Sequence, residues 1–158
     1  MSMVDMNTRV EDCSCFAIRR AARQAARLYD AHLQPTGLRV AQFLILAVLE
    51  EVRTADIHTL SERLDIERTA TGKMVSVLVR DGLVQAGPAP GDARTRLVEL
   101  TMEGRRLFVK AVPLWQAAQC RMEALNGRQR VTALRAELRG LAMHNAAAAG
   151  PAADFTWR

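Results

Sequence analysis

Six residues carry the chemistry in this chain that packing explains least well. Arg68, Thr69, Thr71 and Lys73 lie within one short stretch, and Arg94 and Arg96 come further on. All are hydrogen-bond donors, suited to phosphate oxygens and base edges. None sits in a pattern that makes or breaks bonds. His32, His58 and His144 are scattered, no glycine-rich phosphate loop is present, and no Ser/His/Asp arrangement assembles. No catalytic site, cofactor or metal site is therefore expected.

The elements that must hold these donors are readable on either side of them. Thr59 is the expected N-cap of a short helix, with Glu62 at capping-box spacing and Leu60 and Leu64 on one face. Asp65-Ile66-Glu67 makes a turn. A second helix starts near Arg68, its apolar side predicted at Ala70, Met74, Val77 and Leu78, and it stops at Asp81-Gly82. Two helices joined by a tight turn, the second with donors on its leading turns, form a helix-turn-helix. Its second helix would enter the major groove of DNA. A helical hairpin with a solvated polar face is the plainer alternative, and the residues after Gly82 weigh against it. Leu83–Ala86 and Leu97–Leu100 read as strands around a Pro88–Gly91 turn, with Arg94 and Arg96 near the tip of the hairpin. Asp92 is expected to pair with Arg94 and aim it. An arginine so placed suits the neighbouring minor groove.

At these residues the chain resembles the MarR family of bacterial transcription regulators. LSERLDIERTATGKMVSVLVRDGLV followed by GDARTRLVELTMEG is similar to the family's winged helix-turn-helix, including Asp92-x-Arg94 and Leu100-Thr101-x-x-Gly104. Val79 departs from it, standing where the family often has an acid. The resemblance covers roughly residues 13–145. It implies a mainly α fold with a small β-wing, in which the N- and C-terminal helices form a dimerisation region. It also implies double-stranded DNA as partner, read by the helix at Arg68–Lys73 and by Arg94 of the wing.

Composition sets bounds on the rest. At 158 residues, 49 % of them hydrophobic and only 4 % aromatic, the chain suits one helix-rich domain with a real core. Net charge is +5, yet residues 53–106 hold nine Lys/Arg against eight Asp/Glu. A nucleic-acid reading must therefore rest on where particular cations sit. No apolar run spans a membrane, no signal peptide is evident, and the Cys13-x-Cys15 spacing fits neither zinc nor thioredoxin motifs, so a reduced cytoplasm is expected.

Taken in order, residues 1–11 read as a flexible arm, 12–145 as a single domain and 146–158 as a flexible tail in which Phe155 and Trp157 are the residues able to dock. Within that domain, helices over 13–33 and 102–145 flank a winged unit at 40–101. Val40–Glu51 is apolar nearly all round and is expected to be a fully buried helix. Arg19, Arg23 and Arg27 stack along one face of the first helix, and like charges at that spacing need compensation, for which Asp30 is the nearest acid. The terminal helices carry apolar stripes larger than the winged unit can cover. A twofold homodimer is the expected solution, and with it a pseudo-palindromic operator.

Two triggers for release of DNA remain open. The resemblance implies a small, often aromatic or anionic effector, whose lining would come from Arg19, Arg23, Tyr29, Phe43 and Trp115, although Phe43 and Trp115 also suit a plain core. Alternatively, Cys15-Phe16-Ala17 is similar to the reactive-cysteine segment of the family's peroxide sensors, with Cys13 as a resolving thiol and Cys120 expected to be buried. The tyrosine that comes next in those sensors is absent here. A helical protein–protein adaptor that binds no DNA is the competitor from another class.

Overall fold

A computed structural model describes residues 9–147. The expected arm and tail lie outside those residues, apart from their inner ends. Val10–Asp12 form a 3-10 turn leading into the first helix, and residues 146–147 close the last one. The elements are α1 (Ser14–Leu33), α2 (Val40–Val52), β1 (Thr54–Ala55), α3 (Ile57–Leu64), α4 (Arg68–Arg80), β2 (Val84–Ala89), β3 (Asp92–Leu100), α5 (Met102–Asn126) and α6 (Arg128–Ala147). The sheet is antiparallel in the order β1-β3-β2. This is the mainly α, small β-wing class that the residue pattern implies. Packing divides the chain between Gln119 and Cys120. No helix among the described residues is long and apolar enough to cross a membrane.

In the first unit α2 is the hub. Phe43, Ile45, Leu46, Val48 and Leu49 are buried against Leu33 of α1, Leu60 of α3, Val75 and Leu78 of α4, Val84, Val98 and Leu100 of the sheet, and Ala111 of α5. The expectation of burial all round fails at Leu44, which is 36 % exposed. The start of α2 is held from outside the helix. Asp30 Oδ1 accepts the Val40 amide at 2.7 Å, and Oδ2 lies 2.9 Å from Arg39 Nη1. Asp30 is thus committed to α2 and does not compensate the arginine ladder of α1. At the other end of α2, Arg105 Nη1 of α5 is 2.8 Å from each carboxylate oxygen of Glu50.

The cap of α3 also differs from expectation. Asp56, not Thr59, is the N-cap: its Oδ1 accepts the Thr59 amide at 2.7 Å. The helix therefore starts at Ile57, which packs partly against the core. Asp65 then takes a left-handed φ of 49°, ending α3 and setting the turn into α4. Gly82, at φ 72°, ends α4, with Leu83 N bonded to Leu78 O at 2.9 Å and Gly82 N to Val79 O at 3.0 Å.

The Leu-Thr-x-x-Gly segment welds wing to helix. Thr101 Oγ1 accepts the Gly104 amide at 3.0 Å, capping α5, and donates to Gly82 O at 2.7 Å. Gly104 itself packs directly on the Leu83 backbone.

The second unit holds the end of α5 and α6, joined at Gly127 (φ 84°). Glu123 meets Arg128 at 3.2 Å and Arg135 at 3.6 Å. Val131 is buried, while Leu134, Leu138 and Leu141 are exposed. Cys120 is exposed, contrary to expectation.

Candidate nucleic-acid interface

The turn residue Glu67 organises the start of α4. Its Oε1 accepts the Thr69 amide at 3.1 Å and its Oε2 the Ala70 amide at 3.2 Å. A helix N-terminus is a ready anion site, but here a carboxylate already fills it. Contact with an anionic polymer must then come from side chains further along. Among these Thr71 drops out. It is 0 % exposed, and its hydroxyl donates to Glu67 O at 3.1 Å. The inward stripe is Thr71, Val75 and Leu78: Leu78 is buried as expected and Met74 packs partly against the core, while Thr71 and Val75 lie inward where the pattern does not place them. The outward face carries Thr69, Gly72, Lys73 and Ser76, with Arg68 exposed at its head. Gly72 and Ser76 are absent from the residues the sequence singles out. Their spacing from Thr69, i+3 and i+7, is the signal that finds them.

The wing hairpin turns at Gly91, with φ 80°. Asp92 Oδ1 accepts the Arg94 amide at 2.9 Å and Oδ2 accepts the Thr95 hydroxyl at 2.8 Å. The expected side-chain pair between Asp92 and Arg94 is therefore replaced by a grip on the backbone, which fixes where Arg94 starts and leaves its guanidinium without a partner among the described residues. Arg96 differs, because its Nη2 donates to Ala86 O across the hairpin at 3.1 Å. Pro88, which has no N–H, is tolerated because β2 is an edge strand.

Between α4 and the sheet lies an open groove of about 810 Å³. Thr69, Gly72, Lys73 and Ser76 form one wall, Arg96 stands opposite, and Ile57 and Ala86 contribute apolar surface above the buried Val98. The arrangement is two donor-bearing projections, helix and hairpin, with a trough between them rimmed by cations.

Known proteins share this fold. The profile of the MarR family matches residues 36–95. The transcriptional regulator MosR of M. tuberculosis, solved in complex with DNA, is 37 % identical, with a TM-score of 0.78 over 88 % of this chain and 100 % of that one. The chain belongs to the MarR family. It is also similar to the organic hydroperoxide resistance transcriptional regulator of Bacillus subtilis, 26 % identical over 67 % of this chain and 72 % of that one. The homoprotocatechuate degradative operon repressor of Escherichia coli is 27 % identical over 73 % of this chain and 78 % of that one.

MarR-family proteins are transcription regulators, not enzymes, and the remaining candidate residues lie away from the trough. Phe43 is 3 % exposed and stacks on Phe108 at 5.4 Å and on Trp115 at 5.8 Å between ring centroids. Phe43 and Trp115 thus come together as an aromatic stack within the core. The Tyr29 hydroxyl donates to Gln119 Oε1 at 2.7 Å. Arg19 and Arg23 are exposed on α1, as are Cys13, which immediately precedes that helix, and Cys15 on its first turn.

Three carboxyls of the reading region titrate below their ordinary values. The amide and then the hydroxyl of Thr59 lower Asp56, hydrogen bonding from Thr69 lowers Glu67, and the Thr95 hydroxyl followed by the Arg94 amide lowers Asp92. Each group is more acidic folded than unfolded. Its contribution is complete above its unfolded pKa, ordinarily 3.8 for Asp and 4.5 for Glu, and is lost as pH falls through the lower folded value. Acidification should therefore loosen the helix-turn-helix caps and the wing turn before the α2 core. Amide exchange at Thr59, Thr69 and Arg94 measured from pH 6 to pH 3 (roughly the span of this linkage) checks this, and uniform protection throughout would contradict it.

Proposed function

We propose that this MarR-family chain is a sequence-specific DNA-binding repressor that acts as a homodimer and releases its operator when a small ligand binds. The observation that carries the reading is a pair of cations without partners among the described residues, Lys73 on the outer face of α4 and Arg94 at the wing tip, on two elements flanking one trough. Arg68, Thr69 and Lys73 would face the major groove, and Arg94, with Arg96 behind it, the minor groove. Solution of the similar MosR with DNA and the repressor role in the name of the E. coli relative support this reading. The exposed Ile18 of α1, and separately Leu134, Leu138 and Leu141 of α6, offer apolar faces suited to a second copy. Residues 12–145 are then one functional domain, with two reading helices roughly 34 Å apart on a pseudo-palindromic site. A protein that reads operator DNA in this way would work in the cytoplasm. For the effector, Arg19, Arg23 and Tyr29 suit a small, aromatic or anionic molecule beside the Phe43–Trp115 stack. A mobility shift with the DNA upstream of its own gene tests the reading. A discrete complex that persists against competitor DNA supports it, and no shift at low salt favours a helical adaptor instead.

One observation favours redox as the second reading of the trigger. Cys13 and Cys15 are both exposed where α1 begins, and one relative is named for hydroperoxide resistance. On that reading the Cys15 thiolate takes the terminal oxygen of a hydroperoxide, releasing the alcohol, and the Cys13 thiol condenses with the resulting sulfenic acid to a disulfide, releasing water. Peroxide should then release DNA from the unaltered protein but not from Cys15→Ser. Equal release from both would remove the idea.

A further inference from the structure

We propose that Gly72 is where one sugar–phosphate strand of a bound duplex rests against α4, and that this position is glycine so that the strand can approach the helix closely. The proposal rests on the DNA-binding reading above. It stands on two observations.

Gly72 lies in the interior of α4. A Cβ built there would meet nothing within 4 Å, and the backbone is not left-handed. Neither packing nor φ calls for glycine here, nor at Gly87 or Gly140, whereas Gly104 touches Leu83 and Gly82 and Gly91 have positive φ. Glycine inside a helix weakens it relative to alanine. The fold therefore gains nothing from this residue, and of these three glycines Gly72 is the one that lines the groove beside α4.

The second observation is where the glycine faces. Gly72 lines the groove between α4 and the wing, with Lys73 beside it and Arg96 on the opposite wall. A helix in the major groove and a hairpin in the adjoining minor groove have one sugar–phosphate strand between them. The trough between the two elements is where that strand must run. Its phosphates meet Lys73 and Arg96, and its deoxyribose meets the apolar surface of Ile57 and Ala86. A side chain at position 72 would take up space on the wall the strand leans on.

The test uses the full chain on two duplexes of equal length, one from upstream of its own gene and one of scrambled sequence, read by fluorescence anisotropy, with thermal unfolding in parallel. Gly72→Ala should raise Tm by about 2 °C. It should weaken binding to both duplexes by about tenfold, because a strand contact carries no sequence information. The salt dependence of binding should stay as in the unaltered protein, since every cation is retained. Unchanged affinity on both duplexes would overturn the proposal. A loss confined to the upstream duplex would also overturn it, by assigning the glycine to a base edge. A lowered Tm would overturn it as well, by assigning the glycine to the fold. Failure of the unaltered protein to bind either duplex at low salt would instead sink the DNA reading itself, before any variant is made.

Discussion

Gly104→Ala should remove about 3 kcal/mol or more of stability and lower Tm by roughly 10 °C, the largest single-atom effect expected in the first unit. A Cβ at this position would overlap the carbonyl oxygen of Leu83, and the obstacle is backbone, not the end of a flexible side chain. That carbonyl has little freedom to retreat. It accepts the Thr101 amide at 3.1 Å and lies 3.2 Å from Thr101 Oγ1, while the Leu83 amide is bonded to Leu78 O at 2.9 Å. Moving it would break the cap of α5 and pull on the C-terminal turn of α4. Thermal unfolding followed by circular dichroism measures the effect. A Tm within about 2 °C of the unaltered protein would show that the junction yields more easily than its hydrogen bonding indicates. The glycine of Leu-Thr-x-x-Gly is thus explained by contact between α5 and the bend that leads into β2, not by any need for a special φ.

Arg94→Ala is expected to weaken operator binding by about 10- to 100-fold, the range for loss of one well-placed arginine contact in a groove. Folding should not change, since the guanidinium is exposed and has no partner among the described residues. Asp92→Ala should act in the same direction. It removes the acceptor for the Arg94 amide and the Thr95 hydroxyl, so Arg94 loses its fixed starting point. The two effects should fall short of additive in a double-mutant cycle, because Asp92 works through Arg94. Arg96→Ala should cost less in binding while loosening the hairpin, since that guanidinium holds Ala86 O. Anisotropy titrations at several salt concentrations separate these cases, with about one unit of slope lost for each phosphate contact removed. Full additivity of Asp92→Ala with Arg94→Ala would show that the carboxylate does not position the arginine.

Much of this architecture is legible in the residue order because it is written in local terms. Helix spans arise from period and capping, so α4 starts at Arg68 and stops before Gly82 as the pattern indicates. The hairpin arises from two short apolar strands around a Pro/Gly turn, and the wing motif carries the family. Which neighbour wins a shared cap or stripe is another matter. Along α4 the expected stripe through Ala70, Met74, Val77 and Leu78 and the stripe through Thr71, Val75 and Leu78 share Leu78 and differ by less than about 100° of rotation. Packing against α2 and the sheet turns the second one inward, and so removes Thr71 from the reading surface. The same holds for Asp30, whose carboxylate lies next to the arginine ladder in sequence but caps α2 in space.

The order of residues by itself determined the helix-turn-helix, the wing and the identity of the cations, since each depends on groups a few positions apart. Only the tertiary structure decided which side chains stay accessible, which arginine is tethered and where a trough opens between helix and hairpin. Those outcomes depend on how elements distant in the chain pack together, and no local pattern encodes them.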